Sequence, residues 1–119
     1  MTASANKTTI YKICPRALWQ EAESARVFRG APVDLHDGYI HFSSADQVAE
    51  TAAKHFAGQD DLLLIHVNSA LLGERLVWET SRGGALFPHL YGALDFSAVT
   101  KVEPLSLGPG GRHVFPDFD

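Results

Sequence analysis

Apolar and polar residues alternate along several short stretches of the chain, and this period of two is typical of β-strands. In the first stretch, the alternation places Lys12 on one face and Tyr11 on the other. Four consecutive aliphatic residues, Leu62–Ile65, predict a strand that is buried on both faces. The apolar stretch 87–92 contains Pro88, which lacks a backbone N–H, and this predicts an edge strand or an irregular segment. Apart from the segment with Pro88, the predicted strands are Thr9–Cys14, Tyr39–Phe42, Asp61–Val67, Arg75–Glu79 and Val99–Leu105.

Two stretches instead repeat their apolar residues at the helical period. Pro15 suits the first turn of the first helix, where its missing N–H costs nothing. Before the second helix, Ser44 and Gln47 form a capping-box pattern, in which the Ser44 hydroxyl accepts from the backbone near Gln47 and the Gln47 amide reaches back. A loop is predicted through 36–38, and Gly58 ends the second helix. The apolar positions of the two helices are Leu18, Ala22 and Ala25, then Val48, Ala52 and Phe56.

These elements predict an α+β fold in a single compact domain. Two short helices come early, and the strands form a mostly antiparallel sheet that is strongly twisted or split. The 119 residues suffice for one core but not for two ordinary domains. Residues 1–8 are small and polar and predict a flexible tail, which leaves 9–119 as the single domain.

Composition narrows the class of protein without indicating its chemistry. The hydrophobic fraction of 45% is that of an ordinary globular domain, and the net charge of −4 disfavours a nucleic-acid binder. The single cysteine, Cys14, cannot form an internal disulfide and lacks an activating motif, so we expect an inert, partly buried thiol. No apolar run approaches the length of a membrane span, and the polar N-terminus lacks a signal-peptide core. These features predict a cytoplasmic protein.

Three common kinds of site find no support in the sequence. The six histidines include no pair at the i, i+4 spacing of a zinc helix, so we predict no metal site. Ser43 and Ser44 follow a strand as a nucleophile would, but the Gly-x-Ser-x-Gly pattern is absent. The glycine-rich segment 108–111 lacks the Gly-Lys-Ser/Thr ending of a phosphate loop.

Two segments carry polar residues that packing does not explain. Alternation within 37–44 places Tyr39, His41 and Ser43 on one face, and Ile40 and Phe42 on the core side, which leaves a polar and aromatic face for a ligand. Glu79 ends a strand next to Trp78, where desolvation is expected to raise the pKa of its carboxyl group. A helix-capping Ser44 and a solvated Glu79 at a strand end remain open as simpler interpretations.

Together these segments resemble the small bacterial and plant family known as domain of unknown function 952. The resemblance covers about Ile10 to Phe118. It rests on the sequences Ile10-Tyr11-Lys12-Ile13, Asp37-Gly38-Tyr39-Ile40-His41-Phe42-Ser43-Ser44 with Gln47, Trp78-Glu79 and Leu86-Phe87-Pro88-His89-Leu90-Tyr91-Gly92. Many members of this family carry His at the position of Lys12 and Thr at that of Ser44.

The family is in turn distantly similar to the ADP-ribosyltransferase-like fold, in which two small sheets enclose NAD. By order along the chain, the resemblance implies that Lys12 binds a ribose and that Ser43, with Tyr39 or His41, lines the nicotinamide pocket. It implies that Glu79 stabilises the positive charge that builds on the ribose as the nicotinamide–ribose bond breaks. Glu79, Ser43 and His41 are the implied catalytic residues. The implied ligand-binding residues are Lys12, Tyr39, Ser44, His89 and Tyr91.

Three functions therefore stay open. The leading one is a nucleotide-type ligand cleft, with NAD as the substrate of ADP-ribosyl transfer or hydrolysis in its enzymatic version and no certain cofactor. The second is a non-catalytic module that binds a nucleotide or similar small molecule in the same cleft. The third is a protein-interaction module in which the 87–91 loop and the 114–118 tail form an apolar contact patch.

Overall fold

The computed structural model describes residues 9–116 and 118, so the predicted tail at 1–8 lies outside the described residues. The described chain forms an α+β domain, as predicted. Its α-helices are α1 (Arg16–Ala25), α2 (Pro32–Asp37) and α3 (Val48–His55). Its strands are β1 (Thr9–Pro15), β2 (Val27–Phe28), β3 (Ile40–His41), β4 (Leu62–Asn68), β5 (Leu76–Thr80), β6 (Leu86–Leu90), β7 (Leu94–Asp95), β8 (Val99–Leu107) and β9 (His113–Val114).

The strands pair antiparallel, as predicted, and within the described residues they form three separate sheets. The largest has the order β1-β4-β8-β9, a second has the order β3-β6-β5, and β2 pairs with β7. An isolated bridge between Tyr11 and Ser43 joins the first two sheets, with reciprocal backbone hydrogen bonds of 2.8 and 2.9 Å. The chain just after β3 is therefore fixed against the middle of β1, and these two segments form adjacent walls of one site.

The largest sheet is covered on both faces, and its strands alternate between two hydrophobic cores. On β4, Leu63 and Ile65 join one core while Leu62 and Leu64 join the other, which confirms the strand predicted to be buried on both faces. The first core also holds Trp19 of α1, whose ring stacks on Phe96 with centroids 5.0 Å apart. β1 alternates in the same way, and its central residue, Lys12, therefore carries a charge inside the protein.

The prediction of two helices was wrong because α2 occupies residues that were assigned to a loop. Pro32 starts this helix with a fixed φ, and the Asp34 side chain accepts from the backbone N–H of Ala31 at 2.7 Å. Gly38 ends it at φ +91°, a conformation that glycine adopts without strain. These local signals build a helix of six residues, too short to show a helical repeat of apolar positions.

The capping box before α3 is half present. The Gln47 side chain accepts from the backbone N–H of Ser44 at 3.0 Å, as predicted. The Ser44 hydroxyl, however, donates to Asp46 rather than accepting from Gln47, and α3 begins only at Val48. Residues 45–47 form a turn instead of the first helical residues.

The prediction that Pro88 excludes a central strand was also wrong. β6 lies between β3 and β5, and Pro88 pairs with Trp78 of β5. The Pro88 carbonyl accepts from the backbone N–H of Phe42 at 3.0 Å. Because N–H and C=O of one strand residue point the same way, the missing N–H of Pro88 faces the end of the two-residue strand β3, so β5 loses no hydrogen bond.

The predicted apolar contact patch is largely internal. Phe87 and Leu90 are buried in β6, while Phe115 and Phe118 pack against the second core. Of the two proposed patch segments, Tyr91 and Val114 are the large apolar residues that remain exposed. In the described residues, no helix is long and apolar enough to cross a membrane.

Candidate functional site

A cleft of about 630 Å³ opens where β1 meets β3, β6 and the start of α2. Its volume lies in the range of small-molecule sites, which are concave and mostly apolar with a few polar groups. Five of the residues singled out from the sequence line it, and the alternation predicted for 39–43 is confirmed because Ile40 is buried in the core. Those five lining residues are Lys12, Tyr39, His41, Ser43 and His89.

Lys12 is buried at 7% exposure and is held in an ion pair with Asp34, which is itself 2% exposed. Its ammonium group donates to Asp34 Oδ1 at 3.0 Å and lies 2.8 Å from Oδ2. Burial lowers the pKa of Lys12, and the Asp34 carboxylate only partly opposes this shift. Lys12 therefore lines the cleft as a charge already neutralised by its partner, rather than as a free cation for a phosphate.

Asp34 is the functional residue that sequence reasoning missed. Besides Lys12, its carboxylate accepts from the Ala31 backbone, from the His41 backbone at 3.1 Å and from His41 Nδ1 at 2.6 Å. Burial alone would raise the pKa of Asp34, but the hydrogen bond from His41 and the Lys12 charge outweigh it and hold this pKa at about 2. The signal that could have found it is an acid two residues after Pro32, at a position that caps a helix.

His41 lies between two carboxylates. Its Nδ1 contacts Asp34 and its Nε2 contacts Asp37 at 2.9 Å. Both ring nitrogens are thereby engaged by carboxylates. His41 therefore offers a ligand its ring rather than a free nitrogen, and it can position a bound group.

Tyr39 is the centre of an aromatic group at one end of the cleft. Its ring stacks on His89 with centroids 4.1 Å apart and an interplanar angle of 25°. It also lies 4.7 Å from the His41 ring and 5.2 Å from Tyr91. We call Tyr39, His41, His89 and Tyr91 the aromatic cluster. Such rings favour flat and positively charged ligands, through stacking and cation–π attraction.

Glu79 is hydrogen-bonded to two members of this cluster but is not itself one of the residues that line the cleft. One carboxylate oxygen accepts from His89 Nδ1 and from the Tyr91 hydroxyl, both at 2.7 Å. These hydrogen bonds, Tyr91 first and His89 second, lower the pKa of Glu79, and the same contact raises the pKa of Tyr91 to about 12. The expected rise in the pKa of Glu79 was wrong, because Trp78 is half-exposed and two donors outweigh desolvation.

Ser43 is buried in the wall of the cleft, where its hydroxyl lies 2.9 Å from that of Thr51. The Thr51 hydroxyl in turn donates to the Gln47 carbonyl at 3.2 Å. A hydroxyl has one proton to donate, so Ser43 must donate to Thr51, and the Ser43 oxygen is left as an acceptor. An acceptor in this wall suits a ligand amide or hydroxyl.

Ser44 does not line the cleft, and we predict a small effect for Ser44→Ala. Its hydroxyl donates to Asp46 at the surface, so its loss is expected to cost at most about 1 kcal/mol of stability. Ligand binding in the cleft should not change. Thermal unfolding and a ligand titration of the variant check both statements, and a loss of ligand affinity would restore the ligand-binding role predicted for Ser44.

The remaining candidate chemistry lies elsewhere. Cys14 is fully buried, and burial raises the pKa of its thiol to about 11, which accords with the inert thiol predicted. Among the residues that the structure describes, no three His, Cys, Asp or Glu side chains are arranged to hold a metal ion.

Comparison with protein families places most of the chain in a known family. The family model described as a protein of unknown function, DUF952, matches residues 13–102, from within β1 to within β8. This confirms the resemblance found in the sequence to the family of unknown function, and the match shows that family alone. No curated protein matches the chain.

Among solved structures, the chain is similar to protein CC0527 from Caulobacter crescentus. The crystal structure of that protein is 50% identical, covers 90% of this chain and 94% of its own, and superposes with a TM-score of 0.87. Its solution NMR structure is 51% identical, covers 88% of this chain and 90% of its own, and has a TM-score of 0.80. The fold described above is thus shared with an experimentally determined structure.

Proposed function

The chain belongs to the DUF952 family of proteins of unknown function, and we propose that its cleft binds the nicotinamide–ribose half of NAD. In this proposal, Glu79 supports cleavage of the bond between nicotinamide and ribose, as in hydrolysis or ADP-ribosyl transfer. The observation that carries the proposal is the ionised Glu79 carboxylate, held by two donors beside an aromatic cluster. We also propose a cytoplasmic location, which a buried and unpaired Cys14 favours.

The aromatic cluster suits the nicotinamide ring in both shape and charge. The ring is flat and, in NAD, carries a positive charge, so the tyrosine faces attract it. The Ser43 oxygen can accept from the carboxamide N–H, since its own proton is given to Thr51. His41, with both nitrogens engaged, fixes the position of Tyr39 against the ligand.

Glu79 is suited to the bond-breaking step. When the bond breaks, its electron pair leaves with nicotinamide and a positive charge develops on the ribose. A carboxylate that is already ionised and already oriented stabilises this charge without having to reorganise. Hydrogen bonds from Tyr91 and His89 keep Glu79 in that state, because they lower its pKa.

The cleft is less suited to binding the phosphates of NAD than to binding its nicotinamide half. Lys12, the cation expected to meet the ligand, is neutralised by Asp34. We therefore expect nicotinamide riboside to bind with nearly the affinity of NAD, and ADP-ribose to bind far more weakly. Isothermal titration calorimetry with the three compounds measures this, and ADP-ribose binding as tightly as NAD would contradict the orientation.

The activity itself is tested by the release of nicotinamide. Protein incubated with NAD should produce free nicotinamide together with ADP-ribose or an ADP-ribosylated acceptor, both separable by chromatography. NAD binding without any release, in water or with protein acceptors, would exclude the reaction. That outcome would establish the second function, a non-catalytic module that binds a nucleotide or similar small molecule in the same cleft.

A further inference from the structure

His89 has one nitrogen engaged and one free, which distinguishes it from His41. Its Nδ1 lies 2.7 Å from the Glu79 carboxylate, and since that carboxylate is ionised and can only accept, Nδ1 must carry the proton. In the neutral ring, Nε2 is then left with its lone pair. The tautomer is set by Glu79, in the same way that a carboxylate orients the base of a catalytic triad.

The free nitrogen is accessible from the cleft. Within residues 9–116 and 118, Nε2 has no hydrogen-bond partner. It is not one of the fully buried side-chain atoms that lack a partner, which are Trp19 Nε1 and His113 Nδ1, so Nε2 itself is not fully buried. His89 is only 3% exposed and lines the cleft, so the accessible part of its ring faces the cleft. The stacked Tyr39 ring fixes its plane.

We infer that Nε2 of His89 is the proton acceptor of the cleft. This inference rests on the proposed function and adds a second catalytic residue to it. As the bond between ribose and nicotinamide breaks, the oxygen of water bonds to the ribose carbon and one water proton passes to Nε2. Nicotinamide leaves as a neutral molecule with the electron pair, and the proton is then released from Nε2 to solvent. For transfer rather than hydrolysis, an acceptor hydroxyl takes the place of water.

Glu79 and His89 then have different roles in the reaction. Glu79 supplies negative charge near the ribose and holds Nδ1–H, while His89 removes the proton from the attacking group. General bases contribute about 10²- to 10⁴-fold to turnover. Asn can preserve the hydrogen bond to Glu79, because its amide nitrogen occupies nearly the place of Nδ1, but it has no basic nitrogen in the place of Nε2. His89→Asn should therefore lower turnover at saturating NAD by about 10²-fold or more.

The experiment measures nicotinamide release by wild type, His89→Asn and His89→Gln, each with and without added imidazole. Imidazole can enter the space left by the ring and should restore part of the lost turnover in the Asn variant. His113→Asn is the matched control, because this ring contacts the Gln59 carbonyl and lies outside the cleft lining, and its turnover should equal that of wild type. Turnover of both His89 variants within about tenfold of wild type overturns the inference but leaves the proposed function intact. An absence of release by wild type overturns both.

The ring nitrogens can also be observed without any reaction. NMR of the wild-type protein with ¹⁵N-labelled histidine, its ring signals assigned through the backbone, should show the His89 proton on Nδ1 rather than on Nε2. A proton on Nε2 overturns the inference whether or not NAD is consumed. Because the measurement uses the wild-type protein, it remains possible if a variant fails to fold.

Discussion

Asp34→Asn is expected to lower the free energy of unfolding by about 3–5 kcal/mol. The variant leaves the ammonium group of Lys12 buried without its counter-charge, and breaking one side of a buried ion pair costs far more than losing an exposed one. Asp61→Asn is the matched control, because Asp61 pairs with Arg16 at the surface and should contribute about 0–1 kcal/mol. Urea unfolding of the two variants measures the difference.

The acid dependence of stability provides a second measure of the same group. The pKa of Asp34 is lowered from 3.8 to about 2 on folding. A lowered carboxyl pKa stabilises the fold above pH 3.8, and this contribution is lost as the pH falls toward about 2. The shift corresponds to about 2 kcal/mol. Across this window, the difference in the free energy of unfolding between wild type and Asp34→Asn should fall by that amount. A difference that stays unchanged between pH 5 and pH 2, roughly the range in which such a carboxyl titrates, would contradict the assignment.

Glu79→Gln is expected to reduce the release of nicotinamide from NAD by about 10³-fold, equivalent to about 4 kcal/mol of transition-state stabilisation. Glutamine keeps the shape and accepts from His89 and Tyr91 through its carbonyl oxygen, but it has no charge to stabilise the ribose. NAD affinity should change little, since the charge acts mainly in the transition state. Turnover and calorimetric affinity, measured on the same preparation, separate the two effects.

Glu103→Gln is the control for that variant. Glu103 also contacts a histidine, but that histidine, His66, lies on β4 of the largest sheet and does not belong to the aromatic cluster. Its turnover should match that of wild type. If Glu79→Gln retained wild-type turnover, Glu79 would not be the catalytic carboxylate, and if it lost NAD affinity instead of turnover, the cleft would be a binding site.

Much of the architecture could be predicted because it follows from local patterning. The aliphatic run in β4 is buried on both faces, and the alternation around His41 separates core positions from positions that line the cleft. α2 was not predicted because six residues are too few to show a helical period. The central position of β6 was not predicted because Pro88 is tolerated there only where the neighbouring strand β3 ends.

The site was predictable as a set of residue types but not as a set of contacts. Tyr39, His41 and Ser43 share a face by local alternation, yet nothing local indicates that His89 donates to Glu79 across two strands. Asp34 was missed for the same reason, since its partner Lys12 lies 22 residues away. The pKa of Glu79 depends on two donors from β6 and the residue after it, and the adjacent Trp78 was a misleading guide to its direction.

The central claim, that the cleft binds the nicotinamide–ribose half of NAD, is tested most directly by an amide-resolved NMR titration with NAD. A protein of 13.0 kDa suits this measurement. Saturable shifts at Ser43, Glu79 and His89, with His113 unmoved, are the predicted result, and Lys12 should move with the cleft wall. No shift at these amides up to millimolar NAD, a concentration above most cellular KM values (about 1 μM–1 mM), would contradict the claim.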